Sequence, residues 1–490
     1  HRVPNKCPRA VYHTTGMNIS ELIIQRKKEK IFKAVGSVAD SISRECYAVG
    51  GCVRDMMLDR PSVDIDFVSV GNGIELAEAV ARSMGKGTHL SVFRNFGTAQ
   101  VKRGEMELEF VGARKESYDR QSRNPIVEDG TLHDDLSRRD FTINAMAVSV
   151  NTATFGDLID LFDGISDLKA GIIRTPLDPD ITFSDDPLRM MRAIRFATQL
   201  GFEIYPATLE AITRNAQRIK IITRERIMDE LMKIMRSACP SLGWRLLEQT
   251  GLLQLIFPEL HALCGVETVK GRGHKDNFLH TLEVLDKVAA KTGDVWLRWS
   301  ALLHDIAKPV TKRWDNSLGW TFHNHNFIGS KMIPRIFRQM KFPMNDRMRY
   351  VQKMVELHMR PIALVEEGVT DSAIRRLLHD AGDDITDLMT LCEADITSKN
   401  AEKVKRHLEN FASVRRKMEE VEARDHIRNF QPPVDGSEIM TIFGLQPSRE
   451  VGVLKQAIKD AILDGVIPNE REAAMEFLLS QAAGLGLSPV

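Results

Sequence analysis

The spacing of apolar residues changes period once along this chain, and that change fixes the fold class. Between Tyr47 and Asp163 short β-rich runs (YAVGG, DIDFVSV, THLSVF, TAQVK, LEFVGA) alternate with the helical stretch ELAEAVARSM, the pattern of a small mixed α/β domain. From Asp185 onward almost every stretch is helical in period, from PLRMMRAIRFATQLG through RERIMDELMKIM to WRLLEQTGLLQLI. The expected class is therefore α+β, a sheet-bearing head followed by a mostly helical body. At 490 residues the chain exceeds one compact core. The expected division is a leader and N-terminal helix (1–45), the head (46–165), a helical neck (166–265), a histidine-bearing helical domain (266–400) and a helical tail (401–490). Leu22, Ile23, Phe32, Val35 and Val38 predict one opening helix from Ile19 to about Arg44. Met17 reads as the natural start, and the residues before it are set aside.

Composition removes several classes. Lys+Arg and Asp+Glu both number 67, so contact with nucleic acid needs local basic patches rather than an overall positive field. Six scattered cysteines without a Cys-x-x-Cys pair argue against a disulfide framework and against a thiolate zinc site. No apolar run reaches the roughly 18 to 20 residues that cross a bilayer. The expectation is a cytoplasmic protein with no membrane partner.

Chemistry concentrates in the head. Gly50-Gly51 follows a strand-like run and precedes a helix start. The pair reads either as a plain tight turn or as a phosphate cradle, in which backbone N–H groups approach phosphate oxygens and Arg54 adds charge-assisted donors. Asp64 and Asp66 flank Ile65, and residues two apart on a strand share a face roughly 6.5 to 7 Å apart. Both carboxylates can then reach one cation while Ile65 enters the core. An exposed acidic pair at a strand start is the plainer reading, but burial next to apolar residues favours a hard cation, Mg2+. A second strand carries Glu107 and Glu109. Glu109 is the expected third carboxylate, with Glu107 solvated, and three acids around two ions form a clamp for in-line nucleotidyl transfer.

These residues carry a family resemblance. GGCVRD, then DID, then Arg138-Arg139-Asp140-Phe141-Thr142-Ile143-Asn144-Ala145 resembles the class II tRNA nucleotidyltransferase and bacterial poly(A) polymerase superfamily, whose small head has a DNA polymerase β-like nucleotidyltransferase fold. The resemblance implies that Asp64 and Asp66 hold the catalytic metals and that Gly50, Gly51 and Arg54 hold the triphosphate. It assigns Arg139, Asp140 and Asn144 to the incoming nucleotide. Without it, Arg138 and Arg139 read as a solvated basic pair.

Further on, Asp185-Asp186-Pro187 precedes Arg189, Arg192 and Arg195, arginines that share one face of a helix. One reading is a solvated basic stripe backed by Leu188, Met191, Ile194 and Ala197. The other is a base reader. Cytosine and adenine each present an amino donor beside a ring acceptor, so an Asp acceptor and an Arg donor three apart on one helical face, Asp186 and Arg189, would accept C and A and leave G and U unmatched. The segment resembles the family's EDxxR nucleotide-template motif, with Asp185 in place of Glu. Ala113–Leu136 resembles the family's flexible loop, associated with the switch from C to A addition. Arg224-Glu225-Arg226-Ile227 with Glu230 resembles its ERIxxE neck motif, which reads either as an RNA contact or as a helix-stabilising network.

The second half carries His280, His304-Asp305, His325, His358 and Asp395. An adjacent His and Asp suit a divalent metal, and the whole order resembles the HD phosphohydrolase superfamily. That resemblance implies one or two divalent ions, such as Mn2+, Ni2+ or Mg2+, and a phosphoester substrate. His323 is an alternative to His325. The leading expectation is a nucleotidyltransferase that adds or repairs the 3′-terminal CCA of tRNA from CTP and ATP, with an HD phosphohydrolase activity joined downstream. The alternatives are a poly(A) polymerase and an HD phosphohydrolase whose head only binds RNA or nucleotides.

Overall fold

The computed structural model describes residues 19–62, 64–117, 126–367, 370–397 and 400–490. The leader before Met17 and the middle of the loop-like segment Ala113–Leu136 lie outside them. Two compact units emerge, His1–Pro258 and Glu259–Val490.

The first unit opens with two helices, α1 (Ile19–Gln25) and α2 (Glu29–Ser41), where apolar spacing predicted one. Lys27 adopts φ 58°, and the amides of Lys27 and Lys28 turn back to the carbonyls of Ile24 and Ile23. This Schellman-type closure ends α1. There follow β1 (Cys46–Val49), α3 (Gly51–Met57), β2 (Asp64–Ser69), α4 (Gly73–Met84), β3 (His89–Phe93), β4 (Thr98–Arg103) and β5 (Met106–Gly112). A hairpin of β6 (Arg114–Ser117) and β7 (Ile126–Asp129), then α5 (Leu132–Ser137), β8 (Met146–Ser149) and β9 (Leu158–Asp160) complete the head.

Seven of these strands form one sheet in the order β3-β4-β5-β2-β1-β8-β9. Within it β2 and β5 run parallel, with Asp64 opposite Glu107, Asp66 opposite Glu109 and Phe67 opposite Phe110. Period-two alternation then separates two chemistries. Ile65, Phe67, Leu108 and Phe110 are buried, with Phe67 stacked on Phe110 at 5.2 Å and met edge-on by Phe32 of α2 at 5.8 Å. All four acids take the opposite face. Helix α2 packs so closely that a Cβ on Gly36 would lie 1.8 Å from the carbonyl oxygen of Val150. Gly36→Ala is therefore expected to destabilise the first unit by about 1–3 kcal/mol, the usual cost of overpacking, read as a lower urea midpoint.

The remainder of this unit is helical apart from a short parallel pair, Ile172–Ile173 with Glu203–Ile204: α6 (Gly164–Ala170), α7 (Pro179–Asp185), α8 (Leu188–Leu200), α9 (Pro206–Asn215) and α10 (Arg224–Met235). Helix α8 is buried almost all round, because α10 and the helix Pro240–Gln249 pack on it and Phe141 meets Phe196 edge-on at 5.8 Å.

The second unit is helical apart from two short hairpins, Thr268–Val269 with Arg272–Gly273 and Arg313–Asp315 with Gly319–Thr321. Helices Asn277–Lys291, Val295–Leu303, His325–Gln339, Asp346–Leu357 and Ile385–Asp395 pack around Trp299 and Phe337. The charged helix spans Ala401–Asp425 and is tied down by ion pairs of Arg424 and Lys417 with Asp371 and of Asp425 with Arg375. Among the described residues no helix is long and apolar enough to cross a membrane. Among the described residues Cys46, Cys52, Cys264 and Cys392 are thiols.

Candidate functional site

On the acid-bearing face Asp64 is exposed and Asp66 half-buried. Burial, reinforced by the charge of Asp64, raises the Asp66 carboxyl above its ordinary value against the pull of Arg139. Burial and Asp66 likewise raise Glu109. Glu107, expected to be solvated, is instead engaged by Gln100 Nε2 and lies 3.7 Å from Lys102 Nζ. Gln100 and Lys102 face it because the antiparallel register of β4 on β5 places Lys102 opposite Glu107 and Gln100 opposite Glu109.

The glycine turn sits beside these acids. Gly50 has φ 73° and caps the start of α3; a Cβ there would lie 2.9 Å from Arg139 Nη1 and 3.8 Å from Asp66 Oδ2. Only glycine combines that backbone with so close an approach. Of the residues that the resemblance assigned to the triphosphate and the nucleotide, Arg54, Asn144 and Asp140 form one hydrogen-bonded chain, which Arg192 joins. Arg54 Nη1 donates to Asn144 Oδ1 at 2.7 Å, Asn144 Nδ2 to Asp140 Oδ1 at 3.0 Å, and Arg192 Nε to Asp140 Oδ2 at 2.7 Å. Asp140 is held at about 2: burial opposes its charge, but Arg192, Asn144 and Arg189 outweigh it. Arg138 and Arg139 are no solvated pair, because both donate to Asp135, a fully buried carboxylate kept ionised by them despite burial. Sequence reasoning missed Asp135, although it stands three and four residues before its partners on one helical turn.

The arginines of α8 contradict the solvated stripe. Arg189 and Arg195 are buried, and the ring of Phe196 is stacked by Arg195 at 3.8 Å, Arg54 at 4.8 Å and Arg192 at 5.5 Å. Phe196 as a stacking platform left no signal in the sequence. Asp186 and Arg189 do not share a helical face. Asp186 is extended (φ −133°, ψ 98°) after α7, because Pro187 opens α8 and disfavours the helical conformation in the residue before it. Its Oδ1 accepts from the Leu188 amide at 3.1 Å, while Arg189 Nη2 donates to the Arg138 carbonyl at 2.7 Å. Of the two readings of the ERIxxE-like segment, Glu230 follows the network: it is 3 % exposed and accepts from Arg195 Nε and Lys233. Arg195→Ala would leave that buried carboxylate only Lys233, and a loss approaching the roughly 3–5 kcal/mol of a broken buried pair is expected in urea unfolding.

In the second unit the six histidine and aspartate side chains converge. His280, His304 and Asp395 form one group with ligand atoms within 4.8 Å of one another, and Asp305, His325 and His358 form another. Each imidazole turns Nε2 inward. The Nδ1 atoms face Thr397 Oγ1 (His280), Ala301 O (His304), Phe322 O (His325) and Val355 O (His358), at 2.7–2.8 Å. Such backing fixes the tautomer of a metal ligand. Asp305 lies between the groups, with Oδ2 3.2 Å from His304 Nε2 and Oδ1 3.3 Å from His325 Nε2. Burial would discharge His304, but Asp305 and Asp395 raise it to about 10; burial and His304 lower His358 to about 4. His323 is exposed and outside both groups. Lys308, unremarked in the sequence, places Nζ 2.6 Å from Asp305 Oδ2.

Residues 46–174 match the poly A polymerase head domain, 201–264 the probable RNA- and SrmB-binding site of polymerase A, and 277–398 the HD domain. An A-adding tRNA nucleotidyltransferase of Deinococcus radiodurans is 32% identical over 435 residues, 87% of this chain and 93% of that one. Another, of Aquifex aeolicus, is 45% identical over 192 residues, 39% of this chain and 23% of that one. Among solved structures, a tRNA nucleotidyltransferase complexed with a primer tRNA and an incoming ATP analog superposes with TM-score 0.53 at 28% identity, over 78% of this chain and 99% of that one.

Proposed function

The chain belongs to the tRNA nucleotidyltransferase family, and from that premise we propose that it builds or repairs the 3′-terminal CCA of tRNA from CTP and ATP. The observation that carries the reading is the parallel register that sets Asp66 beside Glu109, next to the Gly50 turn. Asp64, Asp66 and Glu109 are hard oxygen donors, and two of them have raised carboxyl pKa values through burial and mutual repulsion. That donor set fits Mg2+, which when bound activates the attacking hydroxyl and stabilises the leaving pyrophosphate. The turn Gly50-Gly51 with Arg54 and Arg139 would take the triphosphate. Asp140, kept ionised, orients Asn144 and Arg192 for the nucleotide, and Arg195 braces Arg192 through the shared Phe196 ring. Asp186 already accepts from an N–H and Arg189 already donates to a C=O; the edge of C or A would offer an amino N–H and a ring-nitrogen acceptor in their place.

In the second unit the buried Nε2 of His304 has no well-aligned hydrogen-bond partner, and the mixed imidazole and carboxylate donors fit Mn2+, Ni2+ or Mg2+. Held there, such ions supply an activated water for hydrolysis of a phosphoester.

The test is extension of tRNA transcripts ending before CCA, after C and after CC, with Mg2+ and each nucleotide separately and together. Ordered addition of C, C and A is expected. Addition of A alone to the CC transcript would narrow the activity to that of the A-adding relatives, and long A tails on unrelated RNA would overturn the reading.

A further inference from the structure

Beside the histidine cluster lies a cavity of about 300 Å³ whose lining includes Cys264, Glu267, His274, Asn277, Pro309 and Lys312. No step proposed above uses it. Its polar frame is tied together: Lys312 Nζ lies 2.8 Å from His274 Nε2 and 3.0 Å from Glu267 Oε2, and the Asp276 carboxylate accepts from the Gly265 amide at 3.0 Å. The His274 ring meets Trp320 and Phe322 edge-on at 5.8 and 5.9 Å, and Lys312 caps the Trp320 ring at 4.3 Å.

Within this frame Asn277 stands out. It is 7 % exposed, and among the described residues its carboxamide makes no hydrogen bond. Neither atom of that carboxamide is sealed away without a partner, so on a residue that lines the cavity the amide is left open to a ligand. A carboxamide presents one donor and one acceptor side by side, the complement of a nucleobase edge. The location is equally specific. Asn277 precedes His280 by one helical turn on the helix Asn277–Lys291, so the two share a face. Pro309 follows Lys308, whose Nζ reaches both Asp305 and the Phe322 ring.

We infer that this cavity is the base-binding subsite of the HD centre: it takes the nucleobase of a nucleotide phosphoester, with Asn277 pairing to the base edge, while the phosphoester lies at the histidine cluster. The inference rests on the hydrolytic reading of that cluster, and its test separates the two. The probes are adenosine 2′,3′-cyclic phosphate and methyl riboside 2,3-cyclic phosphate, the same ester without a base. Cys264 lines the cavity, so its alkylation by N-ethylmaleimide, followed by peptide mass spectrometry on the full-length protein, reports occupancy without any turnover. The nucleotide is expected to slow that alkylation and the base-free ester to leave it unchanged. Asn277→Leu should abolish the protection and lower kcat/KM for the nucleotide at least tenfold through KM, with the base-free ester within twofold; Asn277→Asp, which keeps the shape, should also lose protection. Protection without hydrolysis of either ester would remove the phosphohydrolase reading and leave the base site standing. Hydrolysis of both esters with no protection of Cys264, or equal losses on both in the Asn277 variants, would overturn the base site.

Discussion

Asp66→Asn is expected to lower nucleotide incorporation into tRNA by at least about 10³-fold, with the protein still folded. Asparagine keeps the volume and one oxygen of Asp66 but removes the charge, and a neutral amide is a poor ligand for a hard divalent cation. Stability should not fall. Burial and Asp64 already disfavour the ionised carboxyl, so in metal-free buffer the urea midpoint of the variant should equal or exceed that of the wild type. Asp64→Asn should match it in activity, and Glu109→Gln should cost less, since Glu109 reaches the pair from the neighbouring strand, opposite Asp66. A loss in incorporation below tenfold, with the midpoint unchanged, would mean that the acids only line a solvated strand face and that the head binds nucleotides without turnover.

How much of this was legible follows from what each signal depends on. Strand period and short spacing are local, so the Asp64-Ile65-Asp66 face was readable, as was Glu109 two residues beyond Glu107. Partner strands are not local: that β5 lies parallel to β2, with Glu109 opposite Asp66, depends on a crossover through α4 and the β3–β4 hairpin that no period encodes. The same blindness explains Glu107, whose partners Gln100 and Lys102 arrive from β4. The arginines of α8 looked like a solvated stripe because charge at helical spacing ordinarily faces water; tertiary structure reversed that by supplying Asp140 and Glu230 as partners. Asp186 was placed on a helix that Pro187 postpones by two residues. The histidine order was legible only through family resemblance, since His280 and Asp395 meet at 2.9 Å across more than a hundred residues of chain.

Asp305→Asn should have the second large effect, confined to the other unit. Asp305 is 1 % exposed and faces one ligand group with each oxygen, Oδ2 toward His304 and Oδ1 toward His325, so among the described residues it is the carboxylate placed to serve both. Wild-type protein titrated with Mn2+ should gain thermal stability, about 2.7 kcal/mol once the free ion reaches a hundred times its Kd. In the variant that gain should largely disappear, and calorimetric stoichiometry should fall by at least one ion per chain. Metal-free Asp305→Asn should also unfold more easily than metal-free wild type. The charge of Asp305 helps to hold His304 protonated at about 10, and removing one member of a buried ion pair ordinarily costs about 3–5 kcal/mol, less here because asparagine still offers an oxygen and Asp395 remains. Incorporation of C and A into tRNA should stay within twofold of wild type, because Asp64, Asp66 and Glu109 belong to the first unit. A variant that kept its Mn2+ stabilisation would show that the two groups are a hydrogen-bonded core rather than a metal centre. Loss of tRNA extension together with metal binding would show instead that the second unit's ions are required by the head.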